Sequence, residues 1–205
     1  MSTEFASAGL TAGQLNAIVK KLGGEDGAMR FLRGEIVVAV PTPHEFSIWK
    51  TVKLGTGLKT ADDFRTALKK GKNRISNWGN DILGKPAFTA SETEMDVDLV
   101  NVSVADLDLG FKDGAYRRDI IAKALELGLQ LCPAEVGPQL RLQYADQPKG
   151  EWLVIGMEPI TDSGGHLNVF GVAHDRGGRW LYGSNGYPDP FWDADDRFVF
   201  VRPSK

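Results

Sequence analysis

The chain has 205 residues, of which 42% are hydrophobic and 25% charged, an ordinary globular composition with enough apolar residues for a core of its own. Its single cysteine, Cys132, excludes an internal disulfide and favours a reducing compartment. A net charge of −3 conceals an uneven distribution: residues 1–75 carry 12 Lys/Arg against 7 Asp/Glu, and residues 76–205 carry 12 against 20.

The opening MSTEFASAGL lacks the basic and apolar regions of a secretory signal. The longest apolar runs fall far below the ~20 residues that a membrane helix needs. These features lead to the expectation of a cytoplasmic protein with no membrane contact.

Residues 1–10 are small and polar, and the first element is expected after them. Thr11 and Gln14 have capping-box spacing, and Leu15, Ile18, Val19 and Leu22 form an apolar stripe that ends at Gly23-Gly24. EDGAMRFLRG predicts a second short helix. EIVVAV (35–40) reads as a strand stopped by Pro41 and Pro43. FSIWKTVKLG (46–55) alternates like a strand, with Lys50 as a polar intruder among Phe46, Ile48 and Val52.

Thr60 and Asp63 cap a further helix with Phe64 and Leu68 inside. ISNWGNDILG then puts Ile75, Trp78, Ile82 and Leu83 on one helical face, so 60–84 has the outline of a helix-turn-helix. EMDVDLVNVSV (94–104) reads as a strand whose apolar parity changes, which predicts a bulge near Leu99. DGAYRRDIIAKALELGL reads as a helix capped by Asp113 and ended by Gly128. A short PAEV turn follows Pro133.

The last stretch, 139–202, organises the rest. QLRLQY, EWLVIGMEPI, HLNVFGVAH, RWLYG and RFVFVRP read as strands of an antiparallel meander. The fold class expected is α+β: a C-terminal antiparallel sheet of about five strands packed by helices, with a small helical N-terminal part. A short helical segment at 1–35 and a single α+β domain at 36–205 follow from this.

No spacing in the sequence calls for a metal or cofactor. His166 and His174 share one strand parity but lie about 26 Å apart at ~3.3 Å per residue, too far to share an ion. His44 stands alone. Cys132 sits among apolar residues. The aspartates at 193, 195 and 196 lack a calcium-loop order.

The richest stretch is 176–193, read as a long loop. It carries Arg179, Tyr182, Asn185, Tyr187, Asp189, Phe191, Trp192 and Asp193. Large rings among short polar side chains give apolar area and adaptable hydrogen bonds, as binding surfaces require. The competing expectation is that these rings fold back to cap the sheet.

Two resemblances follow from these residues. KNRISNWGNDILGKPAF (72–88), LCPAEVGPQLRLQY (131–144), GMEPITDSGG (156–165) and RFVFVRP (197–203) together resemble a bacterial protein family of unassigned function. That resemblance implies no mechanism. The tail, with Gly177-Gly178-Arg179-Trp180, a loop rich in Tyr, Asn, Ser and Asp, and a terminal Phe/Val/Arg strand, is similar to the variable region of C-type-lectin-like proteins diversified by retroelements. Those proteins usually carry Ser where Arg179 stands, and end in Gly-Phe-Arg. The second resemblance implies ligand-facing positions between Tyr182 and Asp193.

The functional expectation is a non-enzymatic binding protein that recognises a protein or glycan ligand through 176–193. One alternative is a hydrolase that uses His166 or His174 with a carboxylate. Another is nucleic-acid binding through the basic run at 69–74 in the 60–84 helical pair, although its second helix contains no arginine.

Overall fold

The computed structural model describes residues 11–36 and 46–203. The chain divides into two compact units, Met1–Thr42 and Pro43–Lys205, where the sequence reading drew its boundary at 35–36. His44, residues 1–10 and all but the first two residues of the expected 35–40 strand lie outside the described residues.

The first unit contains α1 (Ala12–Lys21) and α2 (Gly24–Leu32). The capping box forms: Gln14 N–H donates to the Thr11 hydroxyl, and Thr11 N–H donates to Gln14 Oε1 at 2.8 Å. Gly23, at φ 91°, makes the left-handed step between the two helices.

The second unit is a mixed α/β fold built on one large sheet. Its strands are β1 (Lys50–Leu54), β2 (Arg74–Ile75), β3 (Met95–Ser103), β5 (Trp152–Ile155), β6 (Ile160–Thr161), β7 (Leu167–Asp175), β8 (Gly178–Asn185) and β10 (Arg197–Val201). The order across the sheet is β1-β3-β10-β5-β7-β8-β2, with β6 paired to β7 off that path. A two-stranded ribbon joins β4 (Ala115–Tyr116) to β9 (Phe191–Trp192). The helices are α3 (Ala61–Lys70), α4 (Asn77–Leu83), α5 (Val104–Leu107), α6 (Arg117–Glu126) and α7 (Val136–Gln143).

The sheet is not a simple antiparallel meander. β10 lies between β3 and β5, antiparallel to the first and parallel to the second. The reason is burial. RFVFV is apolar on both sides, and only an interior place covers Phe198, Val199 and Phe200 together, all with 0% exposure. Residues 186–196 carry the chain back across β7 and β5 to reach that place. β2 is likewise parallel to β8, at the far edge.

Register assigns the faces. Leu153, Val172 and Leu181 are mutual partners on one face. Val154, Gly171 and Tyr182 lie on the other, with Phe198 beside Val154. α7 lies against the first face, where Gly137 meets Phe170. On the second face Trp192 packs on Phe198, ring centroids 5.2 Å apart.

QLRLQY is a correction. It belongs to helix α7 and not to a strand, and Gln139, Leu140 and Arg141 are all buried. Six residues of alternation fit a strand, but the buried polar groups need partners that the helix supplies. The fully buried Glu135 accepts from Gly55 N–H at 2.9 Å, Ser91 N–H at 2.7 Å and Gln139 Nε2 at 3.0 Å. Gln139 Oε1 in turn accepts from Gln143 Nε2 at 3.1 Å, so 135, 139 and 143 form one stripe at four-residue spacing. Gln143 also closes the edge of β1: its amide accepts from Lys53 N–H and donates to Lys53 C=O, at 2.9 and 2.8 Å.

Other departures have similarly local causes. β3 runs in unbroken register with β1 and with β10, so the bulge expected near Leu99 is absent. The parity change instead marks the point where burial passes from one face of the strand to the other, between Leu99 and Val100. Lys50 lies over the Tyr144 ring at 4.6 Å, which accounts for a lysine in an apolar alternation.

The helix expected from Asp113 starts at Arg117 and has no side-chain cap. Its first N–H groups donate instead to Pro190 and Pro188 carbonyls, both at 3.0 Å. The helix-turn-helix outline is also lost, because β2 separates α3 from α4 and joins the sheet. The Thr60–Asp63 capping box and the end of α6 at Gly128, φ 86°, match their sequence signals.

Gly137 gives a test of this packing. A Cβ there would lie 2.5 Å from Phe170 Cβ. In an exposed helix Gly→Ala stabilises by up to ~1 kcal/mol. Here Gly137→Ala is expected to destabilise by about 1–3 kcal/mol through overpacking, read as a lower urea midpoint at unchanged slope.

Candidate functional site

A cleft of about 350 Å³ opens where three pieces of the second unit meet, and is lined by Trp78, Asp162, His166, Asn168, Asn185 and Tyr187 among others. Each wall has a traceable origin in sequence.

The first wall is α4, which lies directly on β8. Ser76 caps the helix and stitches it to the strand: its hydroxyl accepts from Gly79 N–H and from Gly183 N–H, both at 3.1 Å. A Cβ on Gly183 would lie 2.8 Å from Trp78 Cβ, and one on Gly79 would lie 3.1 Å from Leu181 O. Two glycines facing each other therefore set the helix height. Trp78 is left projecting at 64% exposure, outside the apolar helix face predicted for it, while Ile82 and Leu83 are buried.

The second wall is the TDSGGH turn between β6 and β7. Asp162 Oδ1 accepts from Gly164 N–H at 2.8 Å and His166 N–H at 2.9 Å, and Oδ2 accepts from Asn168 Nδ2 at 2.9 Å. Gly165, at φ 83°, completes the turn. These bonds, led by that from His166 N–H, hold the Asp162 carboxyl below the usual carboxylate range. The turn is tied to α4 through Ser163: its N–H and hydroxyl donate to Asp81 at 2.7 and 2.8 Å, and Lys85 Nζ donates to the hydroxyl at 2.6 Å.

The third wall is the end of β8. Asn185 Oδ1 accepts from Tyr187 N–H at 3.0 Å, and Gly186 N–H donates to Leu167 O at 2.9 Å. Tyr187 is 39% exposed.

The eight residues picked out in the sequence are not gathered in one place. Residues 178–185 form strand β8, so the stretch 176–193 is not one long loop. Asn185 and Tyr187 line the cleft. Tyr182 is on the opposite sheet face, its hydroxyl donating to Leu153 O at 3.2 Å and its ring edge-on to Trp152. Arg179 donates to Ala145 O at the other end of the strand.

Asp189, Phe191, Trp192 and Asp193 belong to a strap laid over two helix starts, where Ala194 and Asp196 carbonyls accept from Ala105 and Val104 N–H at 3.0 Å each. Asp189 pairs with Arg118, and Phe191 packs edge-on against Tyr116. Trp192 is partly buried on Phe198, and Asp193 N–H donates to Asp196 Oδ2 at 2.8 Å. The strap holds the outward and inward positions that the two competing expectations divided between them.

Sequence reading missed Trp78, Asp162 and Asn168 as cleft residues. The spacing of Trp78 from Ile75 and Ile82 places it on the apolar helix face instead.

His166 Nδ1 lies 3.5 Å from Asp162 Oδ1. His174 Nδ1 instead contacts Gln147 O at 2.7 Å. Cys132 is buried, with its thiol donating to Val199 O at 3.4 Å, and burial pushes the thiol far above its ordinary value. Among the described residues no group of three or more His, Cys, Asp and Glu side chains is placed to hold a metal ion. No described helix is long and apolar enough to cross a membrane. Comparison with protein-family models, curated proteins and solved structures gives no match.

Two outcomes are expected. Asp162, with its folded pKa lowered, stabilises the fold at pH above the unfolded value of about 3.9, and this contribution is lost as pH falls from there through the folded value. Asp162→Asn should therefore lower the urea midpoint at pH 7, and the gap to the unsubstituted chain should close below about pH 4. Iodoacetamide at neutral pH should label Cys132 no faster than the chain unfolds, followed by mass spectrometry against a reference thiol.

Proposed function

We propose that this is a non-enzymatic binding protein that takes an exposed group of a protein or glycan ligand into the cleft between Trp78, the Asp162–His166 turn and Tyr187. The observation that carries this reading is that two aromatic side chains with little part in the core line one concavity with two asparagines. Apolar walls with a few convergent polar groups are the usual make-up of a ligand site. The cleft is small, near the lower end of the roughly 300–1,000 Å³ typical of such sites. It is also held in shape before any ligand arrives, by the Ser76, Asp81 and Asp162 hydrogen bonds. Preorganisation of this kind lowers the entropic cost of binding.

A hydrolase that uses His166 is the second reading, favoured by its 3.5 Å approach to Asp162. Weighing against it, 3.5 Å exceeds the hydrogen-bond range of roughly 2.7–3.2 Å. Both Asp162 oxygens already accept bonds that shape the turn. For nucleic-acid binding, Lys69, Lys70, Lys72 and Arg74 offer exposed charge. In α4, however, Asn80 is engaged by Arg65 and Asp81 by Ser163.

The test is a panel of immobilised glycans and displayed peptides probed with the whole chain and with Trp78→Ala and Tyr187→Ala. A specific signal should fall at least about tenfold in each variant, while the melting temperature stays within about 2 °C, as for exposed positions. Binding that survives both substitutions, the absence of any binding, or turnover of a bound ester or glycoside would each overturn the reading.

A further inference from the structure

We infer that the cleft recognises a neutral sugar ring, seated with its C–H face on an aromatic wall, and that it selects against charged ligands. This rests on the binding reading above and names the ligand class for the same cleft.

The charge inventory comes first. No Lys or Arg lines the cleft, and Asp162 is its one carboxylate. Tight recognition of phosphate or carboxylate relies on Arg, Lys or clustered backbone donors. Lys85, which reaches the turn at Ser163, is held there by the Ser163 hydroxyl at 2.6 Å and by Asp81 at 3.1 Å. A bound cation would find one carboxylate, with its oxygens already taken by Gly164, His166 and Asn168. An anionic ligand therefore gives up hydration here beside a carboxylate, with the His166 ring as the one side chain in the lining that can take up a positive charge.

The neutral hydrogen-bonding groups are complementary to hydroxyls. Asn168 Nδ2 donates to Asp162 Oδ2 and to His166 O, which leaves its Oδ1 as an acceptor. Asn185 Oδ1 accepts from Tyr187 N–H, which leaves its amide hydrogens as donors. Ser184 also lines the cleft, and a hydroxyl can both donate and accept. Adjacent hydroxyls on a sugar ring each donate and accept, so they can answer a mixed set of this kind. A peptide side chain typically brings one polar end.

The aromatic walls supply the other half. Trp78 and Tyr187 expose ring surface, 64% and 39%, beside these amides. A pyranose has one face of C–H groups and a rim of hydroxyls, which matches an apolar wall edged by amides. About 350 Å³ suits one or two rings and not a long chain. A nucleobase would also stack, but a nucleotide adds phosphates that this cleft cannot neutralise.

The experiment uses the whole chain. Neutral methyl pyranosides, including an N-acetylated one, are titrated beside glucuronate, N-acetylneuraminate, inorganic phosphate and adenosine. Tryptophan fluorescence and saturation-transfer NMR report binding, with and without EDTA, at low and high salt. Expected is Kd in roughly the millimolar range for at least one neutral glycoside, as its few heavy atoms allow. That binding should be unchanged by EDTA or salt, and weakened at least tenfold by Trp78→Ala and by Asn185→Ala. Tighter binding of a charged sugar, phosphate or adenosine overturns the ligand class, as does EDTA sensitivity. Failure of every glycoside to bind, or to compete with a peptide whose capture needs Trp78, also overturns the class but leaves the cleft standing. Glycoside binding equal in both variants and the unsubstituted chain removes the cleft itself.

Discussion

The second unit depends on a carboxylate buried with neutral partners only. Glu135 has no exposed surface, and it is held by two backbone N–H groups and one amide. A buried carboxyl group is tolerated only when its oxygens find hydrogen-bond partners, and losing one partner costs on the order of 1–3 kcal/mol. The three donors come from Gly55, Ser91 and Gln139, far apart in sequence. Satisfying Glu135 therefore draws the loop after β1, the segment before β3 and the buried helix α7 to one point.

Around that point α7 behaves as a polar spine inside an apolar core. Arg141 is buried and donates to the Gln147 side chain and to the Tyr144 and Ala173 carbonyls. Desolvation in that position lowers its pKa to about 10, so it stays charged at neutral pH. Arg117, also buried, donates to Met157 O at 2.8 Å. Each of these cations is bonded to main-chain carbonyls, so it fixes backbone and not another side chain's charge. The sheet face beneath is positioned by these bonds as well as by packing.

The cleft is a consequence of the same economy of fixed contacts. α4 sits low on β8 because glycines oppose each other there, and the Asp162 turn is fastened to α4 through Ser163. Trp78 then has nowhere inward to go. Meanwhile the crossing segment 186–196 is spent on reaching the interior place of β10, and its carbonyls cap α5 and α6 on the way. Only its first residues remain beside the cleft. A concavity edged by aromatics and amides results from three local solutions meeting, with no single segment dedicated to it.

Local chemistry was readable from the chain by itself. The Thr11–Gln14 and Thr60–Asp63 caps, the glycine end of α6 and the doubly apolar RFVFV all follow from neighbours within a few residues. Asn185 and Tyr187, two of the eight residues picked out in the sequence, line the cleft. Tertiary structure alone decided that QLRLQY is a helix, that β10 enters the middle of the sheet, and that Tyr182 and Tyr187 face different ways. Six residues of alternation suit a strand or a buried helix equally, and the choice went to the form that satisfied Glu135 and Arg141. Strand order was likewise set by which segment needed cover on both faces, a requirement met by β3 and β5, whose partner residues lie far from β10 in sequence.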